Sequence, residues 1–152
     1  MGLLARLLGR GGSERDLATD LGEEYRAHVE LLVRLRQHAE RARYPQVAAT
    51  LRALADEEER HAGWLRDRIH AHGGGIPPVA PTELPGKNQW ERAVAVSQAA
   101  RAKRQKLVER ISRWDPEEPE TVALLERIER EDTAQLGVYD GIVMRSDPQA
   151  LD

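Results

Sequence analysis

The sequence predicts an all-α fold, a four-helix bundle made of two antiparallel hairpins joined by one long crossover. Three observations carry this. Hydrophobic residues make up 40% of the 152-residue chain while aromatics reach only 4% and Phe is absent, so the interior has to be built from Leu, Val, Ile and Ala. That composition favours helices and suits a single core. Apolar residues recur at steps of three and four along four long stretches, the period of an amphipathic helix. Between the second and third stretches lies a connector, residues 73–87, containing several prolines and glycines. It is too long for an ordinary helix–helix turn and too short for a domain.

After Gly11-Gly12, Ser13 with Asp16 three residues on reads as an N-cap with an acidic first turn, opening helix one, which runs to about Arg43. Tyr44-Pro45 ends it. Helix two follows at once, from about Pro45 to His72, and stops at Gly73-Gly74-Gly75 with Pro77-Pro78 behind it. The pair must form a tight hairpin. Helix three is expected from about Asn88 to Trp114, and Asp115-Pro116-Glu117-Glu118 is both its stop and a fresh start for helix four, from about Pro116 to Arg145. Extended at roughly 3.3 Å per residue, the connector covers about 50 Å. A helix of about 27 residues is about 40 Å long, so the connector can run the full length of the bundle. The bundle is assigned to residues 13–145, preceded by a flexible or docking segment, 1–12, and followed by a tail, 146–152.

The stripes carry polar residues where leucines belong. In helix two Val47, Leu51 and Leu54 are followed by Glu58 and His61, then Leu65 and Ile69. Carboxylate and imidazole therefore point inward. A buried Glu-x-x-His pair needs a reason, and one is that residues three apart on a core face can ligate a single ion together. Helix one reads Leu17, Leu21, Glu24, His28, Leu31, Leu35, His38, and helix four reads Val122, Leu125, Ile128, Asp132, Gln135, Tyr139, Ile142. Counted from the turns, His28 lies level with Glu58 and His61, with Glu24 about one turn away, and Asp132 and Gln135 lie level with Gln98 and Arg101. The polar steps thus fall near mid-length of their helices.

These residues resemble the ferritin-like superfamily, most closely the rubrerythrin and bacterioferritin type. The resemblance covers about Asp16 to Arg145 and is carried by Leu54-Ala-Asp-Glu-Glu-Glu-Arg-His61-Ala62 and by Ile128-Glu-Arg-Glu-Asp132-Thr-Ala-Gln135-Leu136. It implies a ferritin-like bundle in which two Glu-x-x-His motifs and single glutamates from helices one and three hold a di-iron or di-manganese centre. Glu58 and His61 match one motif in full. The second motif reads Asp132-x-x-Gln135, the helix-one glutamate falls on His28 or Glu24, and helix three offers Ser97, Gln98 or Arg101 in place of its glutamate. Two divalent ions carry about four positive charges that carboxylates must offset in a low-dielectric interior. With glutamates replaced, at most one well-held ion is expected, bound by His28, His61, Glu58 and Asp132 with Glu24 or Gln135 as auxiliary groups. The donor set suits Fe, Mn or Zn equally.

Two functional classes follow: a ferritin-like metal-binding protein with a weak redox or storage role, or a non-enzymatic helical interaction module that keeps the fold without metal. In the second, an inward Arg101 would neutralise Glu58 and Asp132 by charge-assisted hydrogen bonds. No residue is assigned a catalytic role. His38 reads as a partly buried packing residue, and His70 and His72 sit at a helix C-terminus where the dipole favours a cation. Trp64, Trp90 and Trp114 read as core or bundle-end packing.

A net charge of −3, with charged residues of both signs interleaved, argues against a general nucleic-acid binder. The absence of Cys excludes disulfides and thiolate metal sites, and a cytoplasmic address fits. No apolar run approaches the roughly 20 residues that span a bilayer, and Met1–Arg10 has too short an apolar stretch for a secretory signal. Leu3, Leu4, Leu7 and Leu8 lie on one side of the first segment, suited to docking a partner, to a weak membrane contact, or to packing on its own bundle or on a second subunit, and a homodimer is expected.

Overall fold

A computed structural model describes the backbone of residues 3–152 and the side chains from Asp16 onward. It contains four helices, α1 (Leu3–Arg41), α2 (Pro45–Ala71), α3 (Gln89–Trp114) and α4 (Pro119–Met144). No strand is present among the described residues, and no helix among them is long and apolar enough to cross a membrane. The four-helix bundle and its two hairpins are as the periodicity predicts.

The boundaries that follow from backbone chemistry agree best. Asn88 caps α3, its Oδ1 accepting from the Glu91 N–H at 2.8 Å, and Glu91 Oε2 reaches back to the Lys87 N–H at 2.6 Å. This reciprocal pair satisfies two of the orphan donors at the helix start. At the end of α2, Gly73 adopts φ +72° and its N–H donates to the His70 carbonyl, while the Gly74 N–H donates to the Ile69 carbonyl at 3.0 Å. That is a Schellman motif, and it turns the chain into the connector.

Two helix starts differ from expectation. Helix α1 begins at Leu3 and passes through Gly11-Gly12, so Ser13 is not an N-cap. Glycine costs a helix only about 1 kcal/mol relative to Ala and leaves the helical dihedrals open, so it weakens that stretch without ending it. The side chains of Leu3, Leu4, Leu7 and Leu8, on which the docking expectation rests, lie outside the described residues. Helix α4 starts at Pro119 and not at Pro116. A residue preceding proline is pushed out of the α region. Glu118, with φ −125° and ψ 72°, is held outside the helix by Pro119.

The connector runs lengthwise along α1. Pro77 lies beside Gly22, and Thr82 accepts from Arg34 Nε at 3.1 Å and, through its carbonyl, from Gln37 at 2.9 Å. Gln37 also accepts from the Leu84 N–H. The part of α1 around Asp20 therefore meets the end of α3, as its contacts with Arg113 and Trp114 show. In the same way Arg68, near the end of α2, donates to Thr121 at the start of α4. Gly86 closes the connector against α3 at φ +137°, where a Cβ would stand 2.8 Å from the Arg92 backbone nitrogen.

The core has two apolar halves. One is built on Leu31, Leu35, Leu51, Leu54, Val96 and Ile142. The other is built on Leu17, Leu21, Leu65, Leu107, Leu125 and Ile128. On every helix a polar step separates the two halves. Trp114 packs in the second half with its indole N–H on Asp20 at 2.8 Å, whereas Trp64 lies between Arg127 and Arg60, whose guanidinium carbons stand 4.2 and 5.4 Å from its ring centre.

His38 packs in the core, more deeply than the partial burial expected, fully closed off from solvent and with neither ring nitrogen hydrogen-bonded. Burial first, and then the Arg92 guanidinium, push its imidazole down to about 4. A histidine so depressed is neutral in the folded protein and binds a proton in the unfolded chain between about pH 6.5 and 4, so stability falls across that window by up to about 3 kcal/mol. His38→Leu is expected to flatten the slope without loss at pH 7, because it removes two orphaned polar atoms. Urea unfolding at pH 7 and pH 4.5 measures both, and an unchanged slope in the variant would refute the assignment.

Candidate metal centre

Between the two apolar halves each helix contributes an ionisable side chain at a stripe position. α1 supplies Glu24 and His28, α2 Glu58 and His61, α3 Lys103, and α4 Asp132, all buried. The expected residues Glu24, His28, Glu58, His61 and Asp132 therefore meet in one layer. Gln135 is half-buried, and among the described residues no hydrogen bond joins it to that layer. Tyr139, one turn further along α4, is buried beside it, and its phenol is pushed up by burial and by the charges of Glu58 and Asp132.

His28 Nδ1 lies 2.6 Å from Glu58 Oε2, and its Nε2 lies 3.5 Å from Glu24 Oε2. Burial, the largest influence, and the Lys103 ammonium push the His28 imidazole down, yet the contacts with Glu58 and Glu24 together prevail and raise it above its ordinary value. His61 lies between two carboxylates of α4, with Nε2 3.0 Å from Glu131 and Nδ1 3.4 Å from Asp132 Oδ1. An Nε2–H donated to Glu131 fixes the ring, the arrangement in which a carboxylate orients a ligating imidazole.

Lys103 is the residue that the sequence reading did not place. Its Nζ lies 2.6 Å from Asp132 Oδ2, 3.2 Å from Glu58 Oε2 and 3.4 Å from His28 Nδ1. Burial pulls its pKa down, but Glu58 and Asp132 outweigh burial and raise it. In return, against burial that would raise them, Glu58 is lowered by His28 and Lys103, and Asp132 is held at about 2 by His61 and Lys103. Two turns along α3 from Lys103, Arg110 donates to Glu24 and, at 2.6 Å, to Glu23. Both cations lie on the α3 stripe Ala93, Val96, Ala100, Lys103, Leu107, Arg110, Trp114. Its steps of three and four were the available signal.

Arg101, expected inward, is exposed and bonds Asp140 at the surface, with Nη2 2.6 Å from each carboxylate oxygen. Gln98 is exposed as well, and Ser97 Oγ is 3.4 Å from Asp140. Arg101 stands two residues from Lys103. At 100° per residue that places it on the opposite side of the helix, so a count of level along the axis selected the wrong face.

The residues do not fit two ions, because the Lys103 ammonium already stands between the carboxylates that would bridge them. They do fit one. His28, His61 and Asp132 each offer a ligand atom, all within 4.8 Å of one another. Glu24 Oε2, His28 Nε2 and His61 Nδ1 are buried without a hydrogen-bond partner, and such atoms are costly to bury unless something satisfies them. Three buried carboxylates (Glu24, Glu58, Asp132) face two buried cations (Lys103, Arg110). A proton on His28 supplies the one further charge that balances the layer, and a divalent ion supplies two.

The bundle is similar to a bacterioferritin with a diiron site from Desulfovibrio desulfuricans, with a TM-score of 0.78 at 20% identity over 86% of this chain and 80% of that one. It is also similar to a ferritin-like diiron-carboxylate protein from Bacillus anthracis str. Ames, with a TM-score of 0.77 at 18% identity over 86% and 96%. At these identities the likeness is one of fold. A search of curated proteins finds no match. The Rubrerythrin family model matches residues 23–113, which hold Glu24, His28, Glu58, His61 and Lys103 and stop short of Asp132. That match spans more than half of the sequence, and the chain belongs to the rubrerythrin family.

Proposed function

We propose that this protein is a ferritin-like metal-binding protein that holds a single iron ion per chain. The observation that carries this reading is the cluster of His28, His61 and Asp132, with unsatisfied imidazole nitrogens aimed into the polar layer. Iron is preferred to Mn or Zn because both similar structures are diiron proteins. When bound, iron would supply one-electron redox chemistry toward oxygen or peroxide. The chain's own groups do the rest. Glu131 orients His61, Glu58 orients His28, and Lys103 takes the place of a second ion by neutralising Glu58 and Asp132.

Lys103 also favours a second reading, a helical module without metal, since it satisfies two of the three carboxylates unaided. Elemental analysis of protein purified from iron-replete cells without chelator separates the two. About one iron per chain is expected for the wild type and near zero for His61→Ala, with unchanged helicity by circular dichroism. Near-zero metal in both proteins would support the module, and two ions per chain would contradict the role given to Lys103. A homodimer is proposed as the assembly, and sedimentation tests it.

A further inference from the structure

A second polar site lies at the end of the bundle where the α1–α2 turn meets the start of α3. A cavity of about 540 Å³ is lined there by Arg41, Arg43, Arg92 and Arg145 and by the tail residues Asp147 and Asp152. Four arginines against two aspartates leave a local charge of +2 in a chain whose overall charge is −3. Arg92 is only 1% exposed. Both its terminal nitrogens donate to the Asp152 carboxylate, Nη2 at 2.9 Å, and its buried Nε has no partner.

Among the described residues, Arg41, Arg43 and Arg145 take part in no ion pair. Arg43 reaches only the Leu151 carbonyl, at 3.5 Å, and Arg145 Nε donates to the Gly141 carbonyl. Hydrogen bonding to Arg92, with added influence from Arg41 and Arg43, holds the Asp152 carboxyl below its ordinary value although that side chain is about half exposed. The tail that delivers Asp152 is held by bonds from Asn88 Nδ2 to the Pro148 carbonyl, from Gln89 to Ser146 Oγ, from Ser146 Oγ to the Ile142 carbonyl and from Arg43 to the Leu151 carbonyl.

We propose that this cavity binds a phosphate-bearing small molecule and that the Asp152 side chain stands in the anion's place. A guanidinium fork matches carboxylate and phosphate oxygens alike. The site, however, has two positive charges left over after its own aspartates are counted, and a volume far larger than one carboxylate. A ligand that displaces Asp152 from the Arg92 fork meets four arginines against Asp147 alone, an excess of three charges that a phosphate dianion neutralises in larger part than a single carboxylate does.

Isothermal titration calorimetry of the full chain with inorganic phosphate, and with succinate at matched ionic strength as the dicarboxylate arm, tests the site. Asp152→Asn should bind phosphate about tenfold or more tightly than the wild type. Adding Arg41→Gln and Arg43→Gln, both at exposed positions, should weaken Asp152→Asn by at least about tenfold while leaving the fold unchanged by circular dichroism. No binding by Asp152→Asn at millimolar phosphate, equal affinity in wild type and Asp152→Asn, or undiminished binding in the triple variant would overturn the site. Tighter binding of succinate than of phosphate would overturn the choice of ligand.

Discussion

Lys103→Ala is expected to destabilise the protein by about 3–5 kcal/mol, because removing one partner of a buried ion pair leaves its counter-charges uncompensated. Here two carboxylates lose the same cation. Glu58 and Asp132 are both almost closed off from solvent, and Lys103 Nζ approaches them to 3.2 and 2.6 Å. His28 remains within 2.6 Å of Glu58, but Asp132 keeps only His61. The melting temperature should fall by roughly 10 °C. Added ferrous ion should recover more stability in the variant than in the wild type, since a ligand bound to the native state alone contributes about 2.7 kcal/mol at a hundredfold excess over its dissociation constant. A loss below about 1 kcal/mol, the range of an exposed pair, would mean that Lys103 does not neutralise this layer.

Arg110→Ala is expected to cost a similar amount, about 3–5 kcal/mol. Glu24 is 1% exposed, and Arg110 is its principal cation. The next positive neighbour is His28, at 3.5 Å. Arg110 also lies 3.6 Å from Asp20, itself buried, so its removal disturbs two carboxylates, although Asp20 retains Arg113 and the Trp114 indole. Arg101→Ala provides the contrast. The metal-free alternative read from the sequence makes it the costly substitution, but its pair with Asp140 is about half exposed on both sides, and such pairs contribute about 0–1 kcal/mol. Urea denaturation of the two variants decides between them. Equal losses would show that burial does not set the cost here.

How far the sequence reached follows from what each residue reports. Helix number, the tight α1–α2 turn, the lengthwise crossover and the inward direction of Glu24, His28, Glu58, His61 and Asp132 were legible because each is a local property. Turn residues act over two to four positions, and a stripe at steps of three and four reports which side of its own helix is buried. Where a second local rule intervened, as with Pro119 holding Glu118 out of α4, the boundary moved by about a turn. Helix α3 was legible in principle, since Lys103 and Arg110 lie on its apolar stripe. Level along the axis does not reveal them, because Arg101 and Lys103 differ by only about 3 Å along the axis and by about 200° around it.

By itself the sequence determined that a bundle with this connectivity forms and that it carries carboxylates and imidazoles in its middle. Only the tertiary structure decided what neutralises them. That outcome depends on whether an ammonium on a flexible four-carbon stem arrives within 3 Å or so of carboxylates on two other helices, and no period within one helix encodes such a distance. The same holds for Asp152, which meets Arg92 from 60 residues away. Charge complementarity between distant segments is a property of the packed helices, because the low dielectric that makes it strong exists only once they are packed.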